Sequence, residues 1–472
     1  MDKIFPRGKG GVGEALKIAF PLVIASLGHA LNLFTDRVML AAYSHQAMAA
    51  AFPSGLTAFT LSCIFLGAVG YAGVFVAQYT GAKQMHQVSE SVWQAIFLAL
   101  LGGTFMAVTC FWAEEIFAFF GHAQELQPLE TSYFRILVCF GYVPLLSAAL
   151  SVFWSGQAKT NMIMVVNLII TLVNIPLNYL LIFGASYRVM NWNISIPEMG
   201  INGAAWGTIG AGAVGLLIYF LAFISPENRK TFGTLRYVWN GELFVKLLRF
   251  GAPNGIQLVL DLATFNIFIV LLGKISEPVL TASGVVFSAY SLAFNPMIGC
   301  GQAAAIMVGQ NVGAKDIPAA ERSIRSVRFL LYIYSLVMLV ICIFFPELVY
   351  KTFSLADGEV KYLTRIMLMF TAAYLFFDAM NVLFSNAVKG AGDTWFVMIS
   401  GLLLGWLAFA LPCAGAYWFF SGEYAIEKWG EARAQSWNIW TLWTILDIYI
   451  FLLGITFYYR YKCGKWKKMS VI

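Results

Sequence analysis

The chain has 472 residues, of which 60% are apolar and 11% charged, and its mean hydropathy is +0.75. Soluble domains carry roughly a quarter charged residues, so this composition argues against a soluble fold, a nucleic-acid-binding protein and a disulfide scaffold. The net charge of +6 is typical of basic loops beside a lipid bilayer.

Twelve apolar segments follow one another along the chain, each long enough to cross a bilayer. A transmembrane helix needs about 20 mostly apolar residues, and barrel strands would alternate in polarity. The sequence therefore predicts an all-α polytopic membrane protein with helices over residues 15–42, 52–79, 92–113, 132–154, 161–183, 201–224, 245–272, 280–307, 328–349, 361–386, 396–420 and 439–460. The first segment lacks a small-residue cleavage site, so we expect a retained span.

The basic residues predict the orientation of these helices. If both termini are cytoplasmic, 21 Lys and Arg residues lie in cytoplasmic segments and 7 on the opposite side. Cytoplasmic loops carry the excess of positive charge in membrane proteins. We therefore expect both termini in the cytoplasm.

The two halves of the chain share short motifs at an offset of 232 to 234 residues. The matching pairs are Gln78–Lys83 with Gln310–Lys315, Pro21 with Pro253, and Gly156–Thr160 with Gly390–Thr394. Such repeats predict two six-helix pseudo-symmetric lobes, residues 1–235 and 236–472, joined by the polar stretch Ser225–Glu242. Transporters have this architecture, with sites inside or between the lobes; a duplicated membrane enzyme or scaffold is the alternative.

Four acidic residues lie within the predicted spans, namely Asp36, Asp261, Asp378 and Asp447. Inserting a charged side chain at the centre of a membrane-crossing helix costs about 2.5 to 3.5 kcal/mol. Asp261 and Asp378 have no basic neighbour in the sequence, and Tyr374 lies one helical turn from Asp378. Two buried carboxyls can bind and release H⁺ or Na⁺, as an ion-coupled carrier requires. Asp36 precedes Arg37, so an interfacial ion pair is the alternative there, and the role of Asp447 stays open.

Asn174 and Asn178 lie at i and i+4 of the fifth predicted helix, on one face. Pro176 between them frees a backbone carbonyl. With Asp36 nearby, these oxygens would suit Na⁺; hydrogen bonding between helices is the equally good alternative. We expect His29 to be a hydrogen-bonded core histidine.

The chain contains 40 Phe, 21 Tyr and 14 Trp. Aromatic rings bind flat, apolar or cationic molecules by stacking and cation–π contact, and Phe265 and Phe294 are our candidates for lining such a cavity. No zinc-type cysteine or histidine cluster and no nucleophile–base pair is visible in the sequence. We therefore expect a transporter rather than an enzyme, without a cofactor other than a coupling ion.

Together these motifs resemble the multidrug and toxin extrusion (MATE) family, NorM-like bacterial branch, over essentially the whole chain. The features that carry the resemblance are Pro21 with Asp36, Gln78–Lys83, Gly156–Thr160, Asn174–Tyr179, Gly200–Gly207, Gly251–Pro253 with Asp261, and Asp378 with Gly390–Thr394. By position, Asp261, Tyr374 and Asp378 match the family's C-lobe cation site, and Asp36, Asn174 and Asn178 match its N-lobe site.

The resemblance implies a monomer in the bacterial inner membrane that exports organic cations or drugs in exchange for Na⁺ or H⁺. Either Asp36, Asn174 and Asn178 or Asp261 and Asp378 would hold Na⁺. Position 261 is often Glu and position 178 sometimes Asp in the relatives, which leaves the coupling ion open. Export of an endogenous metabolite or lipid-linked substrate is the alternative within the same superfamily.

Overall fold

A computed structural model describes residues 8–121, 123–189, 192–353, 355 and 358–472 of the chain. Within these residues, twelve helices are long and apolar enough to cross a membrane. They are α1 (Val12–Tyr43), α2 (His45–Gly81), α3 (Met85–Phe120), α4 (Gln127–Gly156), α5 (Thr160–Phe183), α6 (Ile201–Phe223), α7 (Gly241–Ile275), α8 (Glu277–Gly313), α9 (Ile317–Phe344), α10 (Glu359–Ala391), α11 (Thr394–Phe420) and α12 (Glu431–Lys462). The predicted all-α polytopic fold with twelve spans is confirmed.

Several helices extend beyond the apolar segments that predicted them. The third was predicted over 92–113 and covers Met85–Phe120, and the twelfth was predicted over 439–460 and covers Glu431–Lys462. The apolar segment reports only the part in contact with hydrocarbon, whereas helical hydrogen bonding continues into polar residues at the membrane surface.

Some smaller elements were not predicted. An antiparallel hairpin, β1 (Ala185–Val189) and β2 (Trp192–Ile196), follows α5. Short helices cover Pro226–Phe232, Pro346–Thr352 and Glu423–Trp429, and a 3₁₀ turn covers Lys465–Lys468. These elements are too short to give a hydropathy signal.

The repeated motifs form turns of the same backbone conformation. Lys83 after α2 and Lys315 after α8 both have φ of 59°, and Ala158 after α4 and Gly392 after α10 also have positive φ. Positive φ is uncommon outside glycine. Its recurrence at offsets of 232 and 234 shows that the two sequence repeats fold alike.

The chain divides into two compact units. The N-terminal unit comprises Ile24–Gly255, Gly313–Lys315 and Val471–Ile472; the C-terminal unit comprises Met1–Val23, Ile256–Val312 and Asp316–Ser470. The boundary predicted between residues 235 and 236 separates the sequence repeats. The two compact units do not follow this boundary, because the first part of α1 belongs to the C-terminal unit and the first part of α7 belongs to the N-terminal unit.

Close helix contacts account for this exchange. In the N-terminal unit a Cβ on Gly67 of α2 would lie 2.4 Å from the Gly255 Cα of α7, and the Asn254 Nδ2 donates to the Gly67 carbonyl at 2.8 Å. In the C-terminal unit a Cβ on Gly299 of α8 would lie 2.8 Å from the Val23 backbone nitrogen of α1. Gly67 and Gly299, like Val23 and Gly255, are 232 residues apart, so the repeats make equivalent contacts.

The predicted linker Ser225–Glu242 packs against α3 in the N-terminal unit. Ser89 Oγ donates to the Phe232 carbonyl at 2.7 Å, and Trp93 Nε1 donates to the Thr234 carbonyl at 3.0 Å. These hydrogen bonds fix the segment on the N-terminal unit, so it is a packed part of that unit as well as the connection between the two repeats.

Candidate functional site

In the N-terminal unit, three helices bring the predicted polar residues together. Asp36 lies on α1, and Asn174 and Asn178 lie on α5, where they are 2% and 0% exposed. The Asn178 Nδ2 donates to Asp36 Oδ1, and also to Asn174 Oδ1 at 3.3 Å. Helix α6 adds Thr208, whose Oγ1 donates to Asp36 Oδ2 at 3.4 Å.

One amide oxygen of this cluster, and a second on the preceding turn of α1, remain available. Asn178 Oδ1 is buried and has no hydrogen-bond partner among the described residues, and the same holds for Asn32 Oδ1, one turn before Asp36. A hard cation prefers such carboxylate, amide and hydroxyl oxygens. The cluster therefore has the ligand chemistry of a Na⁺ site, and its carboxyl is also able to take up a proton.

Thr208 and Gly207 are members of this cluster that the sequence analysis missed. A Cβ on Gly207 would lie 1.8 Å from Asn178 Oδ1, so only glycine leaves room for the amide. The Gly200–Gly207 motif was a signal for a close helix approach, but nothing in the sequence showed which side chain fills the space.

The alternative of an ion pair between Asp36 and Arg37 is not what the structure shows. The Arg37 guanidinium lies over the Phe52 ring, 5.3 Å from its centroid. Among the described residues no ion pair joins Arg37 to Asp36. Asp36 is thus bonded to neutral donors only.

In the C-terminal unit, Asp378 on α10 is 4% exposed and has two neutral donors. The Tyr290 hydroxyl of α8 donates to Asp378 Oδ2, and the Asn381 Nδ2 donates to Oδ1 at 3.3 Å. Tyr290 and Asn381 were not predicted. A tyrosine within an apolar span was the only available signal for the first.

Aromatic rings surround this carboxyl. The predicted Tyr374 is 2% exposed, and its ring centroid lies 5.5 Å from that of Tyr290. The cavity candidate Phe294 stacks on Tyr290 at 5.4 Å. The other candidate, Phe265, lies edge-on to Phe287 at 4.9 Å. Both candidates are half-buried, and no contact joins them to each other among the described residues.

Asp261 on α7 is not isolated, contrary to what its sequence neighbours indicated. Gln257, one turn before it, hydrogen-bonds to its carboxyl, and the charge of Lys389 acts on it. Lys389 was counted among the cytoplasmic loop residues, but it lies half-buried in the last turn of α10. The neighbours of Asp261 in the sequence did not reveal this partner, because 128 positions separate the two residues.

Asp261 and Asp378 lie on different helices, α7 and α10, and no hydrogen bond joins the two carboxyls among the described residues. His29 on α1 is exposed, so the expectation of a core histidine was wrong. Asp447 on α12 is half-buried, and no Thr or Tyr among the described residues hydrogen-bonds to its Oδ1.

The two clusters differ in what they can bind. The N-terminal cluster presents carboxylate, amide and hydroxyl oxygens from three helices. In the C-terminal cluster one phenol and one amide N–H group donate to Asp378, and the Gln257 amide hydrogen-bonds to Asp261. Each contains a carboxyl within a membrane-crossing helix that can be neutralised by a cation or a proton.

The chain matches the model of the MatE family over residues 21–180 and 253–411, two segments that start 232 positions apart and together cover more than half of it. It is 25% identical over 426 residues to a probable multidrug resistance protein NorM of Rhizobium meliloti (strain 1021), covering 88% of each chain. It is 26% identical over 400 residues to the multidrug resistance protein NorM of Vibrio cholerae, covering 82% of this chain and 83% of that one.

The fold resembles that of solved transporters. A crystal structure of MATE in the straight conformation superposes with a TM-score of 0.83 at 16% identity, covering 99% of both chains. At that identity the likeness establishes the arrangement of helices and nothing about individual side chains.

Proposed function

Because the chain belongs to the MatE family of multi-pass membrane transporters, which are not enzymes, we propose that it is a secondary antiporter for organic cations or drugs. Import of Na⁺ or H⁺ drives export by alternating access between the two units. Asp36, Asn174 and Asn178 form the coupling site of the N-terminal unit. Asp261, Tyr374 and Asp378 form that of the C-terminal unit.

One observation carries the proposal: each unit holds a membrane-embedded carboxyl that is bonded only to neutral donors. Asp36 has Asn178 and Thr208, and Asp378 has Tyr290 and Asn381. No basic side chain among the described residues pairs with either carboxyl. A charge in this setting is costly unless a cation arrives, so occupancy by an ion can favour one conformation over the other.

Substrate class and location are part of the proposal. Two relatives are named as multidrug resistance proteins, and Phe265, Phe294 and their neighbouring rings suit flat cationic molecules. The excess of basic residues on one side supports cytoplasmic termini, and the bacterial origin of these relatives supports a place in the bacterial inner membrane.

Ethidium efflux from reconstituted vesicles, driven separately by a Na⁺ and by an H⁺ gradient, tests the proposal. We expect one of the gradients to drive efflux, and Asp36→Asn and Asp378→Asn each to abolish it while the protein still folds. Glu115→Gln, at an exposed acid near the end of α3, is the matched control and should keep full activity. Undiminished efflux in Asp378→Asn would contradict the proposal.

A further inference from the structure

Two cysteines of the N-terminal unit lie side by side, although 28 residues separate them in the chain. Cys110 is on α3 and Cys139 on α4, and their thiols hydrogen-bond to each other. Both side chains are half-buried, whereas Cys63 and Cys413 are buried and Cys463 is exposed. Neither cysteine of the pair belongs to a proposed coupling site, so the pair needs an explanation of its own.

An ion pair on one side of the two thiols fixes how α3 and α4 face each other. The Arg135 Nη2 donates to Glu114 Oε1 at 2.9 Å. Glu114 lies four positions after Cys110, and Arg135 lies four positions before Cys139. In two antiparallel helices these spacings place the ion pair one turn from the thiols, on the same two faces. The ion pair therefore shows independently that the two cysteines face each other.

Contacts on the other side of the thiols bring the two helices close together. The Thr104 Oγ1 and the Tyr142 hydroxyl oxygen lie 2.9 Å apart, and a Cβ on Gly141 would lie 2.8 Å from Met106 Sδ. A disulfide needs Cα atoms about 4.4 to 6.8 Å apart, a separation that facing residues of two closely packed helices reach. The packing of α3 on α4 is thus compatible with a bond between the two sulfur atoms.

Both helices depart from regular α-helix at this depth. Cys110–Trp112 forms a 3₁₀ turn within α3, and this turn contacts the segment Gln127–Cys139 of α4. That segment ends at Cys139, where the next residue, Phe140, has φ of −101° and ψ of 18°. A 3₁₀ stretch inside a helix often marks a hinge. The backbone can therefore adjust at both cysteines when a sulfur–sulfur bond of about 2.05 Å replaces the hydrogen bond.

We propose that Cys110 and Cys139 are a redox-sensitive pair, which a disulfide-bearing oxidant converts into a disulfide that fastens α3 to α4. One cysteine thiolate attacks the disulfide of the oxidant and forms a mixed disulfide, and the other cysteine then displaces the second thiol of the oxidant. Two S–H bonds of the protein and one S–S bond of the oxidant break. One S–S bond in the protein and two S–H bonds on the oxidant form, so two electrons pass from the protein to the oxidant.

The proposed orientation provides a source of such an oxidant. With the termini in the cytoplasm, α3 crosses outward, and the connection between α3 and α4 lies on the outer side of the membrane. The bacterial periplasm is kept oxidising by proteins that carry reactive disulfides. This source of the oxidant rests on the proposed location of the protein, whereas the position of the two thiols does not depend on it.

Purified full-length protein in glutathione buffers of stepped redox potential tests the pair directly. Free thiols are alkylated with N-ethylmaleimide, and the digested protein is analysed by mass spectrometry before and after reduction with dithiothreitol. We expect oxidised glutathione to produce a cross-linked peptide containing Cys110 and Cys139, lighter by two hydrogen atoms than the two separate peptides. Dithiothreitol should restore both thiols. Absence of this cross-linked peptide at every potential would overturn the proposal.

Serine variants distinguish this pair from unselective oxidation. Cys110→Ser and Cys139→Ser should each abolish the cross-link and leave the remaining cysteine able to form only a mixed disulfide with glutathione. Cys463→Ser removes the exposed thiol and is the matched control, in which the cross-link should persist. The measurement on the wild-type protein needs no variant, so it decides the question even where a serine variant does not fold.

The unfolding temperature tests whether the disulfide fastens the two helices. Closing the loop between Cys110 and Cys139 restricts the unfolded chain, so oxidation should raise the unfolding temperature of the wild-type protein. The same treatment should leave that of Cys110→Ser unchanged. An unfolding temperature of the wild-type protein that stays the same or falls, although the cross-link has formed, would overturn the fastening role.

A measurement in intact cells separates a wrong orientation from a wrong pair. In a background of Cys110→Ser with Cys139→Ser, Glu115→Cys should react with a membrane-impermeant maleimide, because position 115 is exposed at the outer end of α3. Wild-type protein from cells whose thiols are blocked before lysis should carry the cross-link. Labelling at position 115 without a cross-link in the wild-type protein would overturn oxidation in the cell. No labelling at position 115 would refute the proposed location and its source of oxidant, and leave the pair to the test on purified protein.

Discussion

The two repeats of the chain agree in their backbone turns and differ in the side chains of their candidate ion sites. Lys83 and Lys315 share one unusual φ of 59°. The position equivalent to Asp261 is His29, however, and the position equivalent to Asp378 is Pro144. Backbone geometry recurs because both halves must make the same helix contacts. Site chemistry does not recur, so under the proposed function each unit would bind its ion through a different set of side chains.

The difference lies in the kind of group that holds each carboxyl. The Asn178 amide of α5 and the Thr208 hydroxyl of α6 donate to Asp36, and the buried Asn178 Oδ1 remains available to a metal cation. A phenol and an amide N–H group hold Asp378. We infer that the N-terminal site is the better one for Na⁺ and the C-terminal site the better one for H⁺.

The largest expected effect comes from closing the space beside Asn178. In Gly207→Ala the new Cβ would lie 1.8 Å from Asn178 Oδ1, so the amide must move away from Asp36. We expect ethidium efflux to fall to background and stability to drop by about 1 to 3 kcal/mol from overpacking. Gly70→Ala is the control, because nothing lies within 4 Å of its Cβ. Normal efflux in Gly207→Ala would mean that the C-terminal unit couples ions alone.

A second contrast concerns charge at equivalent positions in the turn after the fourth helix of each repeat. Asp393 pairs with Arg460 at 2.6 Å, with 6% and 16% of the side chains exposed, whereas its equivalent is Lys159, 5.9 Å from the Phe232 ring centroid. Arg460→Met leaves a buried charge unpaired and should cost about 3 kcal/mol, measured by thermal unfolding. Lys159→Met should cost about 0.5 to 1 kcal/mol.

The double variant Asp393→Asn with Arg460→Met provides the control for this pair. It leaves no unpaired charge, so we expect it to recover most of the lost stability. A double variant as unstable as Arg460→Met would show that the loss arises from packing of the arginine stem rather than from charge.

Removing a hydrogen-bond donor from each of the two carboxyls tests the difference between the sites more directly, with a smaller expected effect. Tyr290→Phe removes a hydrogen bond to Asp378 that is worth about 1.5 to 3 kcal/mol if the acceptor is charged. The pH profile of efflux should move upward by about one to two units, since about 1.4 kcal/mol corresponds to one unit. Thr208→Val removes the longer bond to Asp36, at 3.4 Å, and should shift the profile less. Equal shifts would contradict the assignment of H⁺ to the C-terminal site.

The smallest effect is expected at the start of α9. Asp316 accepts a hydrogen bond from the Ala319 backbone N–H at 3.0 Å and pairs with Lys9 at 3.2 Å. These contacts hold its pKa below the usual range. Its equivalent before α3, Gln84, makes no side-chain cap.

A lowered pKa in the folded state stabilises the protein at pH values above the ordinary aspartate range, and that stability is lost as the pH falls through the lowered pKa. Asp316→Ala should therefore lower the unfolding temperature slightly near neutral pH and have no effect in strong acid. Gln84→Ala should have no such pH-dependent effect. An equal loss at every pH would mean that the cap acts through packing and not through charge.

Sequence spacing predicted the site residues on single helices well and those shared between helices poorly. Asn174 and Asn178 lie four positions apart, so helical geometry alone places them on one face. The sequence did not reveal four residues that interact with the carboxyls of the candidate sites, namely Tyr290, Asn381, Thr208 and Lys389. All but Asn381 lie on a different helix from the carboxyl with which they interact. A side chain's sequence neighbours do not show which helix it will face.

By itself, the sequence determined that this chain crosses a membrane twelve times and that it contains a duplicated six-helix unit. Those properties follow from the length of apolar segments and from the recurrence of turn motifs, which are local quantities. The tertiary structure decided that the first parts of α1 and α7 join opposite units. It also decided that Lys389 acts on Asp261, whereas Asp36 and Asp378 have only neutral donors within the part of the chain that the structure describes. Only packing sets the distance between helices, and whether a buried carboxyl is protonated or ionised depends on that distance.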